Sequence, residues 1–267
     1  MVNISLKLSG KSALVTGGSR SIGAAIAKRL AADGAAVAIT YSASPEKAAA
    51  VVKEIENAGG RAIAIHADSG NPESVRAAVA KTEETFGSID ILVNNAGIAL
   101  GGPIEDIKFE DYERMIAVNV TGVFVGTQEV ARRMKSGGRI IHIGSSMVRY
   151  AAFPTASLYT LTKGAVAGFN RSLVRDLGPK GITVNTVHPG PTDTDMNPDG
   201  GPVSKIVGPG MAIGRYGKDH EVASVVAYPR RANASAIERR RKSSERNCSR
   251  RCGMPVSLKH PASRASA

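Results

Sequence analysis

Six short apolar stretches alternate with five longer, helix-patterned ones along the chain, and that alternation leaves few folds open. The strand candidates are 12–16, 36–40, 62–66, 89–93, 139–143 and 182–187. The helix candidates between them are 21–32, 46–58, 72–86, 109–134 and 157–177. Strands covered on both faces read as near-continuous apolar runs, as 89–93 does, whereas strands with one wet face alternate. Regular strand–helix alternation implies right-handed crossovers and a parallel sheet with helices on both faces. Turn residues agree, because Asp33-Gly34, Gly59-Gly60, Gly137-Gly138 and Gly178-Pro179 each stand between a helix and the next strand. The expected fold is therefore a three-layer α/β, doubly wound (Rossmann-type) sheet, and 267 residues suffice for one such domain.

The pattern holds to Tyr228 and then stops. A helix begins near Glu221, and Pro229-Arg230-Arg231 breaks it. Residues 229–267 hold eleven Arg and Lys against two Glu, which accounts for nine of the chain's net charge of +12. The remaining 228 residues are nearly neutral, so the overall charge is no argument for a nucleic-acid-binding body. The tail lacks the aromatic residues that commonly accompany such binding, and nucleic acid is not an expected partner. With so few apolar residues, 229–267 is read as a basic, unpacked tail appended to a domain at 1–228. Both cysteines, Cys248 and Cys252, lie in it, and a lone Cys-x-x-x-Cys does not indicate a metal. No apolar run is long enough to span a bilayer, and the N-terminal residues lack a secretory pattern, so a cytoplasmic location is expected.

The first strand runs into Thr16-Gly17-Gly18-Ser19-Arg20-Ser21-Ile22-Gly23, and a helix follows. Glycines allow a tight turn and close backbone approach, while the helix N-terminus offers free N–H groups to a pyrophosphate. Residues Gly17, Ser19, Arg20, Ser21, Ile22 and Gly23 are the candidate phosphate contacts. Enzymes that select NAD place a carboxylate at the end of the second strand to hold the ribose hydroxyl. Here that strand ends Thr40-Tyr41-Ser42-Ala43-Ser44 with no acid, and Arg20 stands in the turn. A 2′-phosphate needs a cation and hydrogen-bond donors, so NADP(H) is expected over NAD(H), with Tyr41 and Ser42 beside it.

Tyr159 and Lys163 are four residues apart on a predicted helix and so share a face. An ammonium beside a phenol is expected to lower its pKa and make it a usable acid. Ser146 precedes Tyr159 by thirteen residues and follows the strand 139–143, at the carboxyl edge where doubly wound sheets bind ligands.

Together these segments resemble the short-chain dehydrogenase/reductase family. Residues 16–23 are similar to its glycine-rich turn, with Ser21 where a glycine is usual. Asn94-Asn95-Ala96-Gly97 is similar to its NNAG motif, and Asn119, Ser146, Tyr159 and Lys163 to its catalytic set. Pro189-Gly190 with Thr192 and Thr194 is similar to its nicotinamide-amide segment. The resemblance covers residues 10–228 and points within the family to 3-oxoacyl-acyl-carrier-protein reductase-like oxidoreductases.

The resemblance implies that Tyr159 moves the proton, Lys163 tunes it and holds the nicotinamide ribose, Ser146 steadies the substrate oxygen, and Asn119 anchors a relay water. It also implies Asp68 at the adenine edge, where the alternative is a turn-capping aspartate, and Asn95, Ala96 and Gly97 beneath the cofactor. The substrate implied is a ketone, aldehyde or 3-oxoacyl compound, or the corresponding alcohol, in an apolar pocket drawn from Met147, Tyr150, Phe153, Leu158, Met196 and Met211. A homo-oligomer, tetramer or dimer, is implied as well. The stretch 189–198 also resembles part of a cyclic-di-GMP-binding relative, so a dinucleotide- or cyclic-dinucleotide-binding signalling protein with little turnover is the second reading. Family members follow the helix begun at Glu221 with a last strand and a glycine-rich ending. This chain has neither, which a reading-frame shift after codon 228 would produce.

Overall fold

The computed structural model describes residues 8–228. Residues 229–267, with the basic run, both cysteines and any continuation of the sheet, lie outside the described residues. No helix among the described residues is long and apolar enough to cross a membrane.

Six strands form one sheet: β1 (Ser12–Val15), β2 (Ala36–Tyr41), β3 (Arg61–His66), β4 (Ile91–Asn94), β5 (Arg139–Ile143) and β6 (Thr183–Val187). All neighbours are parallel, in the order β3-β2-β1-β4-β5-β6. Alternate side chains of each inner strand enter opposite cores. Ala13, Val15, Val37, Ile39, Ile91 and Val93 pack on one face with Ile26, Leu30 and Val226. Leu14, Ala38, Leu92 and Ile140 pack on the other with Val79, Val130 and Leu173. Burial on both faces is why these strands carry no polar alternation.

The helices are α1 (Ser21–Ala32), α2 (Pro45–Asn57), α3 (Pro72–Phe86), α4 (Phe109–Ile116), α5 (Gly122–Arg133), α6 (Ser157–Leu177), α7 (Pro202–Val207) and α8 (Asp219–Ala227). Two expectations need correction. The fourth strand runs over Ile91–Asn94 rather than 89–93, and Asp90 just before it accepts hydrogen bonds on its side chain from the Ser12 N–H at 3.0 Å and the Lys11 ammonium at 2.8 Å. The expected single helix over 109–134 is interrupted by a π-helical turn at Ala117–Thr121 that separates α4 from α5. The short α7 was not anticipated within the glycine- and proline-rich loop.

Helix α3 shows local sequence chemistry at work. Asn71 caps it, accepting from the N–H groups of Glu73 at 2.9 Å and Ser74 at 3.1 Å, and Gly87 closes it with φ +81°. Asn71→Ala is expected to cost about 1 kcal/mol, read as a lower urea midpoint at unchanged slope. No shift in that midpoint would show that the cap contributes nothing.

Sequence order reverses between β1 and β4, and the chain leaves both strands at their carboxyl ends beside each other. A doubly wound sheet opens its ligand crevice at such a point.

Candidate active site

One wall of the crevice is the turn after β1. Gly17 has φ +63°, and a Cβ there would lie 2.9 Å from Ala96 Cα. A Cβ at Gly23 would collide with the Gly17 carbonyl oxygen and lie 2.5 Å from Asn95 Nδ2. The turn therefore has room for backbone only, as close approach to a pyrophosphate requires. Ser21, where the family has glycine, has φ +47° and tolerates the left-handed region without glycine's freedom.

The turn is tied to the end of β4 through Thr16, which sequence reasoning left out of the site. Its hydroxyl accepts the N–H groups of Asn95 and Ala96, both at 3.0 Å, while the Asn95 amide donates to the carbonyls of Thr16 and Gly17, both at 2.9 Å. Asn94 braces the sheet instead, its amide donating to Thr127 Oγ1 at 3.0 Å and meeting His142 Nδ1 at 3.1 Å. His142 is fully buried, and its pKa falls to about 4, first through burial and then through the Lys163 charge, which keeps it neutral.

The second wall is α6. Lys163 is buried, with Nζ donating to the Ile143 carbonyl at 2.9 Å and lying 5.7 Å from the Tyr159 ring centre. Burial brings its pKa down to about 8. A Cβ on Gly97 would sit 3.3 Å from Asn119 Oδ1 and 3.5 Å from Lys163 Nζ, so the Gly97 backbone, Asn119 and Lys163 meet at one place. Asn119 lies in the π turn and is buried. It accepts from the Ile98 N–H at 2.9 Å and donates to the Ile98 carbonyl at 2.9 Å and to Thr162 Oγ1 at 3.1 Å. Thr162 in turn donates to the Tyr159 carbonyl at 2.8 Å, so Asn119 also braces the first turn of α6. A π turn is a common device for aiming a side chain into a site.

Two sequence expectations fail here. The serine hydroxyl that hydrogen-bonds Tyr159 belongs to Ser145, not Ser146. Ser145 ends the extended segment after β5 with φ −157° and ψ 147°, whereas Ser146 opens a 3₁₀ turn over Ser146–Val148. Ser146 instead contributes its N–H to the Pro189 carbonyl at 2.9 Å. The Tyr159 hydroxyl is not lowered by the lysine: burial raises its pKa, and the Ser145 hydrogen bond pulls the other way.

The remaining candidates fall as follows. Ile22, in the first turn of α1, packs against the core, and Tyr41 meets His66 edge-on with ring centres 5.5 Å apart. Ser42 is exposed, and its carbonyl is 3.0 Å from His66 Nε2. Asp68 is engaged as a turn carboxylate, accepting the Gly70 N–H at 2.8 Å and pairing with Arg114 at 3.1 Å. The Gly70 N–H is the main reason its pKa is lowered. Thr192 is buried, its hydroxyl donating to the Gly190 carbonyl at 3.0 Å, and Thr194 Oγ1 accepts the Asn197 N–H at 3.1 Å. Both hydroxyls thus shape their own loop. Of the apolar candidates, Leu158 is buried in the fold, while Tyr150 and Met196 are exposed. Ser19, Arg20 and Ser21 open onto a groove of about 760 Å³ shared with Lys47 and α8. No cluster of metal-ligating side chains occurs among the described residues.

Comparison with known proteins gives a consistent result. The short chain dehydrogenase family matches residues 11–202. The chain is 39% identical over 225 residues to a 3-oxoacyl-[acyl-carrier-protein] reductase of Synechocystis sp., covering 83% of this chain and 89% of that one. It is 40% identical over 230 residues to the cyclic-di-GMP-binding biofilm dispersal mediator protein of Escherichia coli, covering 85% and 92%. A short chain dehydrogenase from Burkholderia cenocepacia, solved in complex with NADP, superposes with a TM-score of 0.81 at 54% identity, covering 83% of this chain and 90% of that one.

Proposed function

This chain belongs to the short chain dehydrogenase family and is an NAD(P)-dependent oxidoreductase; from that premise we propose that it is an NADPH-dependent reductase of a ketone, an aldehyde or a 3-oxoacyl compound. The observation that carries the reading is a linked set at the carboxyl edge of β4 and β5: Tyr159 is hydrogen-bonded to Ser145 and lies 5.7 Å from Lys163, which meets Asn119 beside Gly97. The solved relative holding NADP supports the choice of cofactor, as does Arg20 in a turn with no acid at the end of β2.

The chemistry a bound reduced nicotinamide supplies is hydride for the carbonyl carbon. Tyr159 gives its proton to the carbonyl oxygen as negative charge develops there. Burial holds the phenol above its usual range, so Tyr159 carries its proton at neutral pH and has it available for the carbonyl oxygen. Ser145 donates a second hydrogen bond to the same oxygen and fixes its position. Lys163 donates one N–H to the Ile143 carbonyl, and in this proposal its charged ammonium holds the nicotinamide ribose with the others. Asn119 holds α4 and α6 in register beneath these groups. In this proposal Gly17 to Gly23, Tyr41, Ser42 and Asn95 to Gly97 hold the dinucleotide. Pro189, Gly190, Thr192 and Thr194 flank its nicotinamide end.

Loss of NADPH absorbance with a panel of ketones, aldehydes and 3-oxoacyl thioesters tests the reading. Tight NADPH binding without turnover of any of them would favour the second reading, a cyclic-dinucleotide-binding protein, to which the name of the Escherichia coli relative lends support.

Acid–base logic supplies a further check. Lys163 is cationic below about 8 and loses its charge above it. The reductive kcat/KM for NADPH is therefore expected to be level on the acid side of that value and to fall as pH rises through it. A profile that stays level until the tyrosine range would show that Lys163 keeps its charge.

Self-association is supported by an apolar face on α5 and α6. Phe124, 47% exposed, lines a 250 Å³ hollow with Val120, Val123, Val166 and Phe169, and Leu161 on α6 is 52% exposed. An exposed apolar patch of this kind marks an interface. Phe124→Asp is expected to convert an oligomer to monomers in sedimentation velocity. A wild-type monomer would refute the expected oligomer.

A further inference from the structure

Near the mouth of the phosphate-binding turn, one carboxylate is held by two cations and a hydroxyl from elsewhere in the chain. Asp195, in the segment after β6, has Oδ2 at 2.9 Å from Lys47 Nζ and 3.5 Å from Arg20 Nη1. Its backbone N–H donates to Ser21 Oγ at 3.1 Å, and that hydroxyl lies 3.4 Å from Asp195 Oδ1. The three partners come from different places: Arg20 and Ser21 from the turn after β1, and Lys47 from the first turn of α2. Each is at least 148 residues from Asp195 in sequence, so the cluster is a product of the fold. All lie at the surface, with side-chain exposures of 57% for Arg20, 56% for Lys47 and 43% for Asp195, so the carboxylate can be exchanged for a solute. Its pKa is held below the usual carboxylate range, first by the Lys47 hydrogen bond, and it is anionic at neutral pH.

We propose that Lys47 and Arg20 form a paired cation site for the cofactor's 2′-phosphate and that Asp195 is an internal competitor for that site. This rests on the NADP(H) reading and extends it. Two cations that converge on one anionic oxygen present the arrangement a phosphate oxygen would meet. The place agrees, since the pair flanks the end of β2, where an NAD-selective protein carries its ribose-binding acid. A phosphate monoester carries close to two negative charges at neutral pH, against one for Asp195, so exchange replaces an under-matched partner with a matched one. A cofactor lacking that phosphate must coexist with Asp195 on the cations and gains nothing from them. Lys47 would then set cofactor choice, and Asp195 would set how much NADP(H) is needed to occupy the protein. Ser21 gives this chain a hook for the Asp195 backbone that a glycine at that position would lack.

The test is isothermal titration of the full-length protein and two variants with NADPH and NADH. Lys47→Met is expected to weaken NADPH about tenfold, the factor that 1.4 kcal/mol of lost ion pairing represents, and to change NADH by less than about twofold. Asp195→Asn is expected to tighten NADPH severalfold with NADH nearly unchanged, and to tighten it less in the Lys47→Met background. An Asp195→Asn variant that binds NADPH more weakly would overturn the competition, because the carboxylate would then belong to the bound state. Equal losses for both cofactors in Lys47→Met would overturn the paired site while leaving the NADP(H) reading intact. A wild-type protein that binds both cofactors equally would sink that reading itself, and this proposal with it.

Discussion

Tyr159→Phe is expected to lower carbonyl reduction by roughly two to four orders of magnitude, the span that removal of a positioned acid produces, while NADPH affinity changes far less. The substitution removes one oxygen and keeps the ring. That ring lies 5.7 Å from the Lys163 ammonium, so the packing around the lysine is retained. The lost hydroxyl shares a hydrogen bond with Ser145, a contact whose removal costs about 1 kcal/mol of fold stability. Because the phenol's pKa is raised by burial, no other group needs to keep it protonated at working pH. Turnover should therefore not recover as the pH is lowered. The measurement is single-turnover NADPH oxidation at saturating substrate, with cofactor binding followed separately. A variant that keeps more than about a tenth of the rate would place the proton donor elsewhere.

The sheet was legible because its strands are buried on both faces and so read as apolar runs bounded by glycine turns. The order of the strands, and with it the crevice between β1 and β4, was not legible, because the same alternation fits more than one doubly wound order. Features that depend on one residue's phase were not legible. Residues 109–134 read as one helix, since nothing in side-chain periodicity distinguishes an i→i+5 turn at Ala117–Thr121 from the i→i+4 helix around it. That turn aims Asn119 at Ile98 and Thr162, so its residue was identifiable but its support was not. Thr16 was passed over because a threonine before a glycine turn looks like any strand end; its role depends on β4 arriving alongside. The expected lowering of the Tyr159 pKa by Lys163 fails for a similar reason. Spacing on a helix brings two groups to one face, but it says nothing about how much water reaches them. Burial decides both pKa values. Asp195 and Lys47 are 148 residues apart and carry no local signature at all.

The tandem serines make this limit testable. Ser145→Ala is expected to reduce turnover about a hundredfold, the low end for losing a donor to a developing oxyanion, whereas Ser146→Ala should stay within about twofold of wild type. In sequence the two differ by one position, and a spacing of thirteen residues before Tyr159 or of fourteen is equally compatible with a loop between a strand and a helix. Backbone conformation separates them. Along an extended segment successive side chains point to opposite sides, and Ser145, with φ −157°, is the last extended residue before the 3₁₀ turn. Its side chain is buried and turned toward Tyr159, while Ser146 anchors the loop by its N–H to Pro189, a bond alanine keeps. The Ser145 hydroxyl also accepts the Met147 N–H at 3.2 Å, so Ser145→Ala removes a turn cap as well as a donor. Ser145→Thr retains the hydroxyl for both contacts and is expected to restore turnover and stability together, whereas a loss of turnover in Ser145→Ala at a temperature where the variant is fully folded would assign that loss to catalysis. If Ser146→Ala is the variant that fails, the hydroxyl at the substrate oxygen is the other one, and the extended backbone at Ser145 has been given the wrong consequence.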